Sequence, residues 1–303
     1  MSLDGKVAIV TGAGRGLGRA HALALAAHGA RVVVNDPGRT REGAVEEGRP
    51  AEQVVDEICA AGGEAVANFD SCADWAAAEG LVRQAVDVFG GLHVLVNNAG
   101  ILRDKMSFRL DEDDWDSVIE VHLKGHFAPS MFAARLWRAQ AKAGDPVYGR
   151  IINTTSESGL YGNIGQVNYA AAKAGIAAMT LVMARELERS GVTVNAISPR
   201  ARTRMTEKLS RYADRPPGDF DDRAPEHVSS VVLWLAGPEA ADITGQVFSV
   251  RGPIVQLVHG FEPGPLINAG SRGWTADELV TEGRRLFVDR GPGLPPNYQT
   301  LPD

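Results

Sequence analysis

At 303 residues, with 44% hydrophobic and 23% charged side chains, the chain is long enough to bury a full core and gives no sign of extended disorder before its C-terminal end. A net charge of −7 argues against nucleic acid or an anionic membrane as partner, because either needs a basic surface. No apolar run reads as the ~20 residues of a membrane span, the N-terminus lacks signal-peptide blocks, and the two cysteines, Cys59 and Cys72, fit a reducing cytoplasm with neither a disulfide framework nor a metal cluster.

Short β-branched runs alternate with Ala-rich helical stretches, as in βαβ units that build a parallel sheet. The first strand, Lys6–Val10, runs into Thr11-Gly12-Ala13-Gly14-Arg15-Gly16-Leu17-Gly18, which opens the helix Leu17–His28. Glycines there permit a tight turn and close backbone approach to a pyrophosphate, which the N–H groups and positive end of the helix then face. The second strand, Arg31–Asn35, ends at Asp36. A carboxylate at that place accepts hydrogen bonds from adenosine ribose hydroxyls and repels a 2′-phosphate, favouring NAD over NADP. Arg15 pulls the other way, and Arg39 and Arg41 lie in the polar insertion Pro37–Pro50 that follows.

The helix Ala51–Ala61 leads to strand Ala65–Asn68, beyond which Asp70 reads either as an acceptor for the adenine amino group or as a helix N-cap. After the helix Ala73–Phe89, the strand His93–Val96 ends in Asn97-Asn98-Ala99-Gly100, small residues that let the chain pass close to a cofactor. A long helix over Asp114–Ala141, the strand Arg150–Asn153, the helix Asn168–Ser190, the strand Val192–Ala196, the helix Pro225–Leu235 and the strand Gln246–Val250 complete seven strands. The expected organisation is one α/β domain over residues 1–255 and an arm over 256–303. The arm holds one short helix, started by a Thr275/Glu278 capping box with Trp274 and Leu279 as staple, and its end, Gly291–Asp303, is Pro-rich.

Taken together, the glycine loop, Asn97–Gly100 and Tyr169-Ala170-Ala171-Ala172-Lys173 resemble the classical short-chain dehydrogenase/reductase family over about residues 4–252. The resemblance implies a Rossmann-type doubly wound parallel sheet of order 3-2-1-4-5-6-7 and a homotetramer or homodimer formed through the long helices. Asn35-Asp36, Ala67–Ser71, Ile101-Leu102-Arg103-Asp104, Val121–Gly125, Gly159–Gln166, Arg204-Met205-Thr206 and Leu233-Trp234-Leu235 are more closely similar to the dehydrogenase region of the peroxisomal multifunctional enzymes of type 2, the 17β-hydroxysteroid dehydrogenases of type 4. That group oxidises (3R)-3-hydroxyacyl-CoA thioesters with NAD. A chain of 303 residues is then expected to be a free-standing version without the appended hydratase.

Tyr169 and Lys173, four apart, share one face of their helix. A nearby ammonium and a cationic nicotinamide stabilise a phenolate, so Tyr169 can exchange a proton with the substrate hydroxyl while Lys173 holds the nicotinamide ribose. The family places its orienting hydroxyl 13 residues before the tyrosine, which selects Ser156 over Thr155 and Ser158. His122 stands where the general family has asparagine; it reads as a holder of a relay water, a titrating group, or a packed histidine bonded to backbone. Pro199, in the cofactor-contacting loop, is followed by Arg200 where the family has glycine, and Arg200, Arg202 and Arg204 read either as contacts to a CoA phosphate or as ion pairs. No metal is expected. Rival readings are a steroid or other secondary-alcohol dehydrogenase, a 3-oxoacyl-carrier-protein reductase, and a non-catalytic dinucleotide sensor.

Overall fold

The computed structural model describes residues 2–38, 48–202, 220–260, 262–271 and 273–287. Arg39, Arg41, Arg204, most of the insertion after Asp36 and the Pro-rich end therefore lie outside the described residues.

The seven expected strands form one sheet in the expected order, with an eighth at its edge: β3-β2-β1-β4-β5-β6-β7-β8. They are β1 (Val7–Thr11), β2 (Arg31–Asn35), β3 (Ala65–Asn68), β4 (Val94–Asn97), β5 (Gly149–Thr154), β6 (Val192–Arg200), β7 (Val247–Arg251) and β8 (Ile254–Val258). β1, β4 and β5 are buried along their whole length, which is why they read as continuous apolar runs rather than alternating ones. Successive residues still face opposite ways. Ala8 and Val10 pack with α1 (Gly16–Ala27), α2 (Pro50–Ala60) and α8 (Pro225–Ala236). Val7 and Ile9 pack with α3 (Trp75–Phe89), α5 (Gly125–Ala143) and α7 (Val167–Leu187).

Three features depart from expectation. β8 pairs antiparallel with β7 through a turn in which Gly252 takes φ +50°, so regular structure crosses the boundary expected at 255. The single helix expected over Asp114–Ala141 is α4 (Glu112–Ile119), a π-helical turn at Glu120–Lys124, and α5. Insertions of this kind inside α-helices concentrate at functional sites, and this one carries His122. The stretch Val167–Ser190 is also more apolar than the sequence reading allowed: an 18-residue window averages a mean hydropathy of 1.3, enough with its length for a membrane span. Its inner face is used in the core, where Ile176, Met183, Ala184 and Leu187 are buried. In the arm, α9 (Ala276–Glu282) starts with the expected capping box, Thr275 and Glu278 each satisfying the other's backbone N–H.

The core under the site is pinned by Trp137 of α5, which is fully buried and donates its indole N–H to Leu92 O at 2.7 Å. A Cβ on Gly149 would come within 2.9 Å of that ring, so the start of β5 lies flat on it. Trp137→Ala is expected to lower the free energy of unfolding by about 3–5 kcal/mol, read from urea denaturation.

Candidate active site

All the described candidate residues lie at or just beyond the C-terminal ends of β1–β6, or on the helices facing them, where open α/β sheets bind ligands. In the first loop Gly12 and Gly16 have φ of +62° and +52°, conformations that other residues rarely adopt. A Cβ on Gly18 would sit 2.2 Å from Gly12 O, so the turn closes only with glycine there. No side chain caps the first turn of α1, which leaves its N–H groups to a ligand. This donor set suits a pyrophosphate. Asn98 ties the loop to β4: its Nδ2 donates to Thr11 O at 3.0 Å and Gly12 O at 3.2 Å, while Thr11 Oγ1 accepts from the Asn98 and Ala99 N–H groups.

Asp36 is held in place. Its carboxylate accepts the N–H of Gly14 at 2.9 Å and of Gly38 at 2.8 Å. Asp70 is exposed and accepts from Asn68 Nδ2 at 3.2 Å. It does not cap α3; that role belongs to Asp74, which accepts from Ala77 N at 2.8 Å.

The helix α7 brings Tyr169 and Lys173 to the end of β5. Lys173, 2% exposed, donates from Nζ to Thr154 O at 2.6 Å, and Thr155 Oγ1 donates back to Lys173 O at 2.7 Å. Lys173 Nζ lies 5.6 Å from the centre of the Tyr169 ring. Ser156 caps α6 (Glu157–Tyr161), its Oγ accepting the Ser158 N–H at 3.2 Å, and its hydroxyl lies near enough to Tyr169 to act on that phenol. The sequence-selected trio therefore converges. Pro199 lies near the end of β6, opposite Val250.

The electrostatics of this cluster follow from burial. It pushes the Tyr169 phenol up to about 12, with the Asp104 carboxylate adding to the rise and the Ser156 hydrogen bond opposing it. The same burial pushes Lys173 down to about 7. Each charge is costly alone; a phenolate and an ammonium formed together offset one another.

His122 is 1% exposed and set edge-on to Tyr169, ring centres 5.0 Å apart. Its Nε2 lies 2.7 Å from Ile101 O and 3.0 Å from Ile101 N, and Nδ1 has no hydrogen-bond partner among the described residues. Burial first, then the Lys173 charge, holds its pKa well below the usual 6.5. The ring is thus a buried imidazole bonded to the Ile101 backbone, and its surroundings work against the protonated form. Gly100 makes room for it, since a Cβ there would meet the ring at 2.3 Å.

Sequence reading missed two groups. His126, four residues on from His122 and fully buried, is held well below the usual histidine range by burial and by the Lys173 charge. Only the i, i+4 spacing of two histidines hinted at it. Gln166 bridges the site's rim: its Nε2 donates to Asp104 Oδ2 at 2.8 Å, while its Oε1 accepts from Ser158 Oγ and Asn163 Nδ2. Of the arginine cluster, the two described members form ion pairs, Arg200 with Glu157 and Arg202 with Asp221.

Residues 6–213 match the family model described as short chain dehydrogenase. The chain is 48% identical over 297 residues to hydroxyacyl-CoA dehydrogenase ChsB1 of Mycobacterium tuberculosis, covering 96% of this chain and 91% of that one. It is 44% identical over 250 residues to the peroxisomal multifunctional enzyme type 2 of Mus musculus, covering 82% of this chain and 32% of that one. Among solved structures, a short chain dehydrogenase from Mycobacterium avium superposes with a TM-score of 0.87 at 51% identity, covering 98% of this chain and 100% of that one.

The folded chain without cofactor disfavours the protonated form of Lys173, whose pKa falls from 10.5 to about 7. Between these values the unfolded chain holds a proton that the folded chain has released. Stability from this group therefore rises with pH across that window, by at most about 1.4 kcal/mol per pH unit, and is flat below it. Urea midpoints of the cofactor-free protein at pH 7, 8 and 9 should show this slope, and Lys173→Met should reduce it.

Proposed function

The chain belongs to the short chain dehydrogenase family and is an oxidoreductase acting on CH–OH groups, and we propose that it interconverts (3R)-3-hydroxyacyl-CoA and 3-oxoacyl-CoA with NAD as cofactor. The observation that carries the substrate class is the match, over nearly the whole of both chains, to a hydroxyacyl-CoA dehydrogenase. The convergence of Ser156, Tyr169 and Lys173 beside the glycine loop supports the chemistry.

When bound, the nicotinamide supplies the hydride acceptor for the carbinol carbon. The chain's residues manage the proton and the oxygen. Ser156 donates a hydrogen bond to the reacting oxygen and stabilises charge developing on it. Tyr169 takes the hydroxyl proton as the carbonyl forms, and returns it in the reverse direction. Lys173 keeps one N–H on Thr154 O and has two more donors for the nicotinamide ribose, while its ammonium offsets the phenolate. His122, kept neutral, holds the backbone at Ile101 behind this pair.

The fixed carboxylate of Asp36 supports NAD. Two backbone N–H groups hold it, so it cannot swing aside for a 2′-phosphate, and its remaining lone pairs suit the ribose hydroxyls. Apolar side chains left exposed on α5 and α7, among them Phe127, Leu181 and Val182, support a homo-oligomer built on those helices.

Side-by-side assays of NAD reduction with (3R)- and (3S)-3-hydroxybutyryl-CoA should give turnover of the (3R) thioester alone; tight NAD binding with no thioester turnover would sink the acyl-CoA reading. Tyr169→Phe should lower kcat about 10²–10⁴-fold while NAD binding persists. Asp36→Ala should narrow the preference for NAD over NADP by roughly tenfold, the equivalent of ~1.4 kcal/mol, in paired kcat/KM measurements.

A further inference from the structure

Glu157, the residue after Ser156, is nearly buried, its side chain 10% exposed. It faces Arg200, 17% exposed, at the last position of β6. Arg200 Nε donates to Glu157 Oε2 at 2.5 Å, and Ser249 Oγ on β7 donates to Glu157 Oε1 at 3.4 Å. An ion pair so far out of water adds little net stability, because desolvating both charges cancels most of their attraction. What it does provide is geometry.

The five-residue helix α6 is gripped from two sides. On one side Gly159 lies against the α7 backbone at the catalytic lysine: a Cβ there would be 2.6 Å from the Lys173 carbonyl carbon and the Ala174 nitrogen. On the other side the Glu157 carboxylate ties the first turn to the end of β6 and the middle of β7. Ser156 is the extended N-cap residue between this helix and β5, preceded by Thr155, whose N–H donates to Ile197 O at 2.8 Å. Its backbone is fixed by β5 behind it and by α6 ahead of it.

We propose that the Glu157–Arg200 ion pair is a positioning device for Ser156, setting the angle of α6 so that the serine hydroxyl faces Tyr169. This rests on reading Ser156 as the group that holds the reacting oxygen. Arg200 then acts through Ser156, without touching substrate. The residue that stands where the family's glycine is expected thus belongs to the serine's support rather than to the recognition of CoA.

A double-mutant cycle tests this, with kcat measured on (3R)-3-hydroxybutyryl-CoA and NAD for Ser156→Ala, Arg200→Met, Glu157→Gln and each double variant. NAD binding is followed by nicotinamide or tryptophan fluorescence and folding by thermal unfolding. Arg200→Met and Glu157→Gln should each lower kcat about 10- to 100-fold, as a misplaced orienting group does, with NAD affinity unchanged. On the Ser156→Ala background either should cost less than about twofold, the non-additivity of groups that act as one. Glu157→Gln, near in shape to the original, keeps the test open if Arg200→Met fails to fold. Equal losses in both backgrounds, or no loss in kcat for a folded variant, would overturn the proposal. Ser156→Ala with undiminished kcat would instead remove the reading of the serine, and the proposal with it.

Discussion

The site depends on one buried hydrogen bond, from Lys173 Nζ to Thr154 O at the end of β5. A lysine out of water must have a partner, and here the partner is a backbone carbonyl that the sheet holds rigidly. The return bond from Thr155 to Lys173 O makes the tie reciprocal. Once α7 is locked to β5 in this way, helical spacing dictates where Tyr169 stands, and the two residues after Thr154 dictate where Ser156 stands. Strand and helix could each slide in isolation; bonded at this point they share one register.

A second set of buried polar contacts carries that register across the sheet. Asn97 and Asn153 face one another in the β4–β5 pairing, and Asn97 Nδ2 donates both to Asn153 Oδ1 and to Ser130 Oγ, while Asn153 Nδ2 donates to Thr180 Oγ1. These bonds join two strands to α5 and α7 just below Ser156, Tyr169 and Lys173. Asn98 then reaches the glycine loop. The glycine loop and the Ser156–Tyr169–Lys173 cluster are thus connected by neighbouring asparagines, whose amide groups donate to atoms that would otherwise lie buried without partners.

Much of this was legible in the sequence because it is local. Strand and helix periods, the glycine loop before α1, Asp36 at the end of β2 and the four-residue spacing of Tyr169 and Lys173 all express constraints that act within a few residues. What was not legible depends on contacts between distant residues or on small choices of turn. β8 escaped because the stretch after Val250 reads as Pro/Gly-rich, although its Gly252-Pro253 step turns the chain back on β7. The π-helical turn around His122 has no compositional mark. Glu157 and Arg200 are 43 residues apart, so the sequence left open whether Arg200 met a CoA phosphate or an ion-pair partner, and it did not single out Glu157. His122 was named from family resemblance, but its neutral state comes from burial that sequence does not report.

The strand order also bears on how the chain reaches this structure. β1 lies at the centre of the sheet, yet on one side its neighbour is β4, and the bond from Val7 N–H to His93 Nδ1 closes a loop of 86 residues. Pairings so distant carry a large loop-closure entropy, and parallel sheets rich in them fold slowly. The glycine loop follows β1 directly, but Asn98, which anchors it, arrives only with β4. Ser156 and Lys173 meet through a much shorter span. The hydroxyl–lysine half of the site can therefore assemble within a local β–α unit, whereas the dinucleotide half waits for the middle of the sheet to close, and a nascent chain has no formed phosphate cradle until its fourth strand is in place.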